Sequence, residues 1–85
     1  MWTPTLVEFL GTALLVGGAV FGGPLMTVAA LAIALALGGK ISGGHFNPAV
    51  TFFKYLDGSL SQTKTMWYLA AQYSASILIY FLYSL

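Results

Sequence analysis

In a chain of 85 residues that is 59% hydrophobic and only 6% charged, few side chains could do chemistry, and Glu8, His45, Asn47 and Gln72 stand out among them. A soluble domain carries about a quarter charged residues, so this composition belongs to the membrane class. Polar groups inside a membrane are costly and face protein or water, so each of these side chains needs a partner. The richest cluster is residues 42–51, Ser-Gly-Gly-His-Phe-Asn-Pro-Ala-Val-Thr, the one run that mixes glycines, a histidine, an asparagine and a proline. Gly43 and Gly44 permit an extended or kinked approach. Asn47 is a preferred helix N-cap, and Pro48 suits the first helical position, where its missing N–H is no loss.

From Pro48 the residues Ala49, Val50 and Thr51 continue into Phe-Phe-Lys-Tyr-Leu as a short helix that ends before Asp57-Gly58, with Lys54 in the last turn, where a cation suits the helix dipole. Such a helix is about 12 Å long, under half of a ~30 Å hydrocarbon core. It reads as a re-entrant half-helix, whose non-helical approach is tolerated at membrane depth only where protein buries it or water lines it. The Asn47 oxygen then caps the following turn and its NH₂ remains free to donate, while the unpaired carbonyls of Gly43, Gly44 and His45 line the approach as acceptors.

This motif resembles the first Asn-Pro-Ala loop of the aquaporin and aquaglyceroporin family, the major intrinsic proteins. Glu-Phe-Leu-Gly-Thr-Ala-Leu-Leu-Val, from Glu8 onward, is similar to the family's first helix, and Ala71-Gln72 to its third. The resemblance implies a passive channel for water or small uncharged solutes such as glycerol, with Gly43, Gly44, His45, Asn47, Pro48 and Ala49 at the pore and Glu8 bracing the loop. It also implies that the residue 20 positions before Asn47, here Thr27, helps form a constriction. Read from the residues alone, Glu8 either accepts hydrogen bonds from the loop or snorkels at a helix end. Gln72 either supports the loop or makes a simple interhelical hydrogen bond, and His45 is a loop residue held by hydrogen bonds.

Around these residues the expected architecture is an all-α membrane protein of one domain, with three transmembrane helices plus one re-entrant half-helix, a half-aquaporin repeat. The spans are placed at residues 5–21, 25–39 and 65–85, with the re-entrant segment at 41–56. Thr3 and Pro4 open the first span, Gly22-Gly23-Pro24 turns the chain, and the second span is short unless it continues through Gly38-Gly39. Trp67 and Tyr68 suit one membrane interface; Tyr80, Phe81 and Tyr83 suit the other. Lys40, Lys54 and Lys64 fall on one side, which predicts the N-terminus inside and the C-terminus outside.

The sequence has no cysteine, one histidine and two acids, so no metal site and no cofactor are expected. A net charge of +1 supports no nucleic-acid partner. Residues 1–4 lack a basic leader pattern, no nucleophile is paired with a base, and no enzyme is expected.

No second Asn-Pro-Ala occurs in the sequence, whereas family members carry two inverted three-helix repeats. Three spans and a half-helix cannot enclose a pore, so the expected partners, besides lipid, are a second copy in an antiparallel homodimer, higher assemblies of up to eight chains, or a complementary half-channel. The one-sided lysines argue against easy antiparallel pairing. Val50 follows the motif and the chain has no arginine, where the family usually places an arginine after its second Asn-Pro-Ala. With Thr27 at the other constriction position, a homomeric pore is expected to be wide. Two other readings stand beside the channel: a small proton-coupled exporter that uses Glu8, and a non-transporting subunit of a channel.

Overall fold

The computed structural model describes residues 2–85, and its regular elements are all helical. Helix α1 spans Trp2–Gly17 and passes through a wide π-helical turn, Gly18–Gly22, into α2, Gly23–Ser42. A non-helical segment follows, then α3, Pro48–Leu56, and α4, Gln62–Tyr83. The chain reverses at Gly23, whose φ of 80° and ψ of −167° lie in a region open essentially to glycine alone. Pro24 then occupies the first turn of α2, where its lack of an N–H costs nothing.

Helix α1 lies between α2 and α4, and α3 rests on α4. Trp2 meets Trp67 with ring centroids 5.9 Å apart, and Phe21 meets Tyr83 at 6.1 Å. These contacts join the starts of α1 and α4 at one end of the bundle and their far ends at the other, so the two helices run parallel while α2 runs back between those ends. The bundle measures 37 × 24 × 21 Å.

Its interior is more polar than its surface. Glu8, Gln72 and Thr51 are each 0% exposed, and Thr5, Thr12, Ser42, His45 and Thr65 are buried with them. The apolar core beside them is Phe46, Tyr68, Ile79 and four alanines, Ala30, Ala34, Ala71 and Ala75. By contrast Leu25 is 81% exposed and Leu37 78%, among many outward-facing leucines and aromatics. This arrangement suits a hydrocarbon solvent, where small residues let helices approach closely and polar groups gather inside. The helical run Trp2–Ser42 is long and apolar enough to cross a membrane. Helix α4, with 22 residues, would reach about 33 Å.

The helices are longer than the spans read from the sequence. Thr3 is inside α1 rather than ahead of it. The second span, expected at 25–39, extends from Gly23 to Ser42, because neither Gly38 nor Gly39 ends the helix. An alanine Cβ at Gly38 would lie 2.4 Å from Val7 Cγ1, so this glycine serves close packing of α1 on α2. The helix ends instead at Gly43, whose φ of 94° forms a left-handed cap with its N–H donating to Gly39 O at 2.8 Å. The third helix begins at Gln62, inside the polar connector, because Ser61 caps it by accepting from Lys64 N at 3.1 Å. In that connector the Ser59 hydroxyl and N–H both donate to Asp57 Oδ1 and hold its carboxyl below the usual aspartate range.

Candidate functional site

Residues 43–47 leave the end of α2 and turn back to start α3; the helices take up only Gly43 N, which donates to Gly39 O, and Asn47 O, which accepts from Thr51 N. Positive φ at Gly43, Gly44 (69°) and Phe46 (52°) lets consecutive N–H groups converge on one point. That point is Glu8. Its Oε2 accepts from His45 N at 3.1 Å and from Ser42 Oγ at 2.7 Å, and its Oε1 accepts from Phe46 N at 2.7 Å and from Gln72 Nε2 at 3.0 Å. Two carboxylate oxygens thus serve four donors from α2, the loop and α4. Charge-assisted bonds of this kind are roughly twice as strong as neutral ones, and they offset both the burial of the acid and the lost helical pairing of the loop.

A second layer holds the first. Ser42 Oγ, having donated to Glu8, accepts from Gly44 N at 3.1 Å. Tyr68 Oη donates to Ser42 O at 2.6 Å, which uses the carbonyl of the last residue of α2. Gln72 Nε2 also donates to Thr51 Oγ1 at 2.7 Å, and Thr51 Oγ1 lies 2.9 Å from His45 Nδ1. The His45 ring meets Tyr68 edge-on at 5.1 Å. Phe46, 1% exposed, fills the space left by Gly11, where an added Cβ would lie 2.1 Å from Phe46 Cε1. Two buried oxygens, Thr12 Oγ1 and Gln72 Oε1, have no partner among the described residues.

On the other side the loop is open. Asn47 is exposed, and its Oδ1 caps α3 by accepting from Ala49 N at 2.8 Å. Its NH₂ is bound to none of the described residues, and the carbonyls of Gly43, Gly44 and His45 accept no hydrogen bond from them. Pro48 is the first residue of α3 and Ala49 is exposed beside it. The helix positions these groups at its positive end. Three carbonyls and one NH₂ near the start of α3 thus have no partner among the described residues and are free to bind water or a hydroxyl group.

Glu8, His45 and Gln72 therefore share one network, while Gly43, Asn47 and Ala49 are exposed along the other side of the loop, with Gly44 and Pro48 half-buried beside them. Thr27 is apart from both. It lies about 15 residues before the end of α2, roughly 22 Å along the helix, and its hydroxyl donates to Gly23 O at 2.8 Å. Sequence reasoning gave Tyr68 to a membrane interface; it is 0% exposed and packed inside the protein instead, because its hydroxyl reaches the Ser42 carbonyl. Ser42 and Thr51 were read only as parts of the motif. The signal for Thr51 was its place one turn after Asn47, on a helix whose other early residues are apolar.

Comparison with known proteins places the whole of this site in one family. The family model described as Major intrinsic protein matches residues 1–84. A protein named probable aquaporin TIP1-2, from Oryza sativa subsp. japonica, is 48% identical over 48 residues, which cover 56% of this chain and 19% of that protein. Aquaporin TIP1-2 from Zea mays is 46% identical over the same length, and aquaporin TIP4-2 from Zea mays is 43% identical over 63 residues, 65% of this chain and 24% of the relative. The chain thus spans about a fifth to a quarter of the length of the curated relatives it matches. No solved structure matches it. With a family match that runs through both the first helix and the loop it braces, the chain belongs to the major intrinsic protein family.

Proposed function

We propose that this chain supplies the pore-lining half-helix of a membrane channel for water and small uncharged solutes. One observation carries the reading. At the N-terminus of α3, Asn47 spends its oxygen on the helix cap and leaves its NH₂ exposed beside three unpaired carbonyls. A neutral solute with an oxygen can exchange water for these acceptors and one donor at little cost, whereas a cation meets the positive end of a helix. Helix α3, with nine residues, is about 13 Å long and cannot span a bilayer, so it enters and leaves on one side, between α1 with α2 and α4, which do span it.

The open edge of the loop cannot face lipid. A second surface covers it and completes the pore: an antiparallel copy of this chain, which brings a second Asn47 to the first, or a complementary half-channel, with further grouping of up to eight chains. Lys40 in the last turn of α2, Lys54 in the last turn of α3 and Lys64 in the first turn of α4 favour the N-terminus inside. An antiparallel copy must oppose that bias. With Thr27 carrying neither ring nor charge, and its hydroxyl proton given to Gly23 O, the pore of such a pair is wide enough for glycerol.

The exporter reading loses ground on the geometry of Glu8. Its carboxylate is 0% exposed and engaged by four donors, so it has no free face on which to exchange protons with both sides of a membrane.

The test is stopped-flow light scattering of proteoliposomes carrying the purified chain, challenged with sucrose and, separately, with glycerol. The channel reading expects shrinkage faster than empty liposomes in sucrose and rapid re-swelling in glycerol. Water flux without glycerol entry overturns the wide pore alone. No flux above empty liposomes, with helicity intact, overturns the homomeric channel and leaves a subunit role.

A further inference from the structure

We infer that Gln72 and Thr51 act as positioning residues that hold His45 in its neutral Nε2–H tautomer. The inference concerns the proton arrangement behind the loop and goes beyond the channel reading, since it stands or falls without any transport.

Glu8 Oε1 is held as an acceptor by the Phe46 N–H at 2.7 Å, and it lies 3.0 Å from Gln72 Nε2. That contact fixes the orientation of the Gln72 amide, because the reversed amide would set oxygen against oxygen. Gln72 Nε2 carries two hydrogens. One goes to Glu8 Oε1 and the other to Thr51 Oγ1 at 2.7 Å. Thr51 Oγ1 therefore accepts from Gln72 and has one hydrogen of its own to give. Thr51 is 0% exposed, and its remaining side-chain partner is His45 Nδ1 at 2.9 Å. If Nδ1 carried a proton, Thr51 would accept twice and its hydroxyl hydrogen would be buried without an acceptor among the described side chains. An unsatisfied buried donor is costly enough to bias the tautomers about tenfold or more. Nδ1 is therefore the acceptor, and the ring's proton is on Nε2.

The unpartnered Gln72 Oε1 points the same way. A buried glutamine that leaves its carbonyl unsatisfied is oriented by what its NH₂ holds, here Glu8 and Thr51. The consequence at the loop is a fixed N–H donor on the Gly43 side of the ring, where an added Gly43 Cβ would lie 3.3 Å from His45 Nε2.

The sequence has one histidine, so ring ¹⁵N labelling of the full chain in detergent micelles gives a single pair of nitrogen signals. Two-bond proton–nitrogen correlations identify them, because the Cδ2 proton couples within two bonds to Nε2 alone. At neutral to mildly alkaline pH the wild type is expected to show an unprotonated Nδ1 and a protonated Nε2. Thr51→Ser should retain that pattern. Thr51→Val, which keeps the shape and removes the hydroxyl, should move both signals towards the averaged values of mixed tautomers, and Gln72→Leu should do so in part. A protonated Nδ1 in the wild type overturns the inference on its own, whether or not any variant folds. A wild-type pattern retained in Thr51→Val would overturn the positioning role.

Discussion

Glu8 collects donors from three places that are distant in sequence: Ser42 at the end of α2, His45 and Phe46 in the loop, and Gln72 on α4. Replacing it by glutamine keeps the size but turns one acceptor into an NH₂ that faces donors. The expected loss is about 1.5–3 kcal/mol for each charge-assisted bond broken, seen as a lower unfolding midpoint of Glu8→Gln by circular dichroism in micelles. An unchanged midpoint would mean that the loop is held by other contacts. Phe46 gives a second prediction. Gly11→Ala places a Cβ 2.1 Å from its ring and should cost roughly 1–3 kcal/mol through overpacking. Gly39→Ala, whose nearest neighbour is Leu35 Cδ2 at 4.0 Å, should be tolerated. Equal effects of the two would contradict the role assigned to Gly11. At this scale much was legible. An acid and an amide in an apolar chain must find partners, and an asparagine before a proline announces a cap. Tyr68 was not legible, because an aromatic with a hydroxyl near a helix start suits an interface as well as a buried carbonyl, and only the fold puts Ser42 O within its reach.

Between the elements, the glycines set the boundaries, and the sequence does not say which glycine does what. Gly38 and Gly39 looked like a helix end but serve packing and continuation, while Gly43 forms the cap. The positive φ that distinguishes Gly43 depends on the loop being drawn back towards Glu8, a tertiary effect. Gly23 offers a clean test, since nothing lies within 4 Å of an added Cβ and its φ is 80°. Gly23→Ala should cost about 1–3 kcal/mol from backbone strain alone, read as a lower unfolding midpoint beside Gly39→Ala as reference. In the connector between α3 and α4, the Ser59 hydroxyl lowers the Asp57 carboxyl. A lowered folded value stabilises the connector above the ordinary aspartate range near ~3.9, and this contribution fades as pH falls through the lower folded value. Ser59→Ala should raise the Asp57 titration midpoint, measured by carboxyl carbon resonances; no movement would remove the hydroxyl as the cause.

Taken whole, the described residues bury a polar cluster, turn many apolar side chains outward and leave Asn47 exposed at the start of α3. The all-helical build was readable from composition and from the turn at Gly22-Gly23-Pro24. What meets the loop edge was not, because a contact between chains or between halves leaves no pattern within one chain. The central claim is that Asn47 borders the path of the permeant. The sequence contains no cysteine, so Asn47→Cys carries a single thiol. The deciding measurement is osmotic water flux of proteoliposomes of this variant and of wild type, before and after a small charged, membrane-impermeant thiol reagent. The account predicts that the reagent leaves wild-type flux unchanged and suppresses that of Asn47→Cys. Flux in the variant that persists after complete labelling, or a thiol the reagent never reaches, would contradict it.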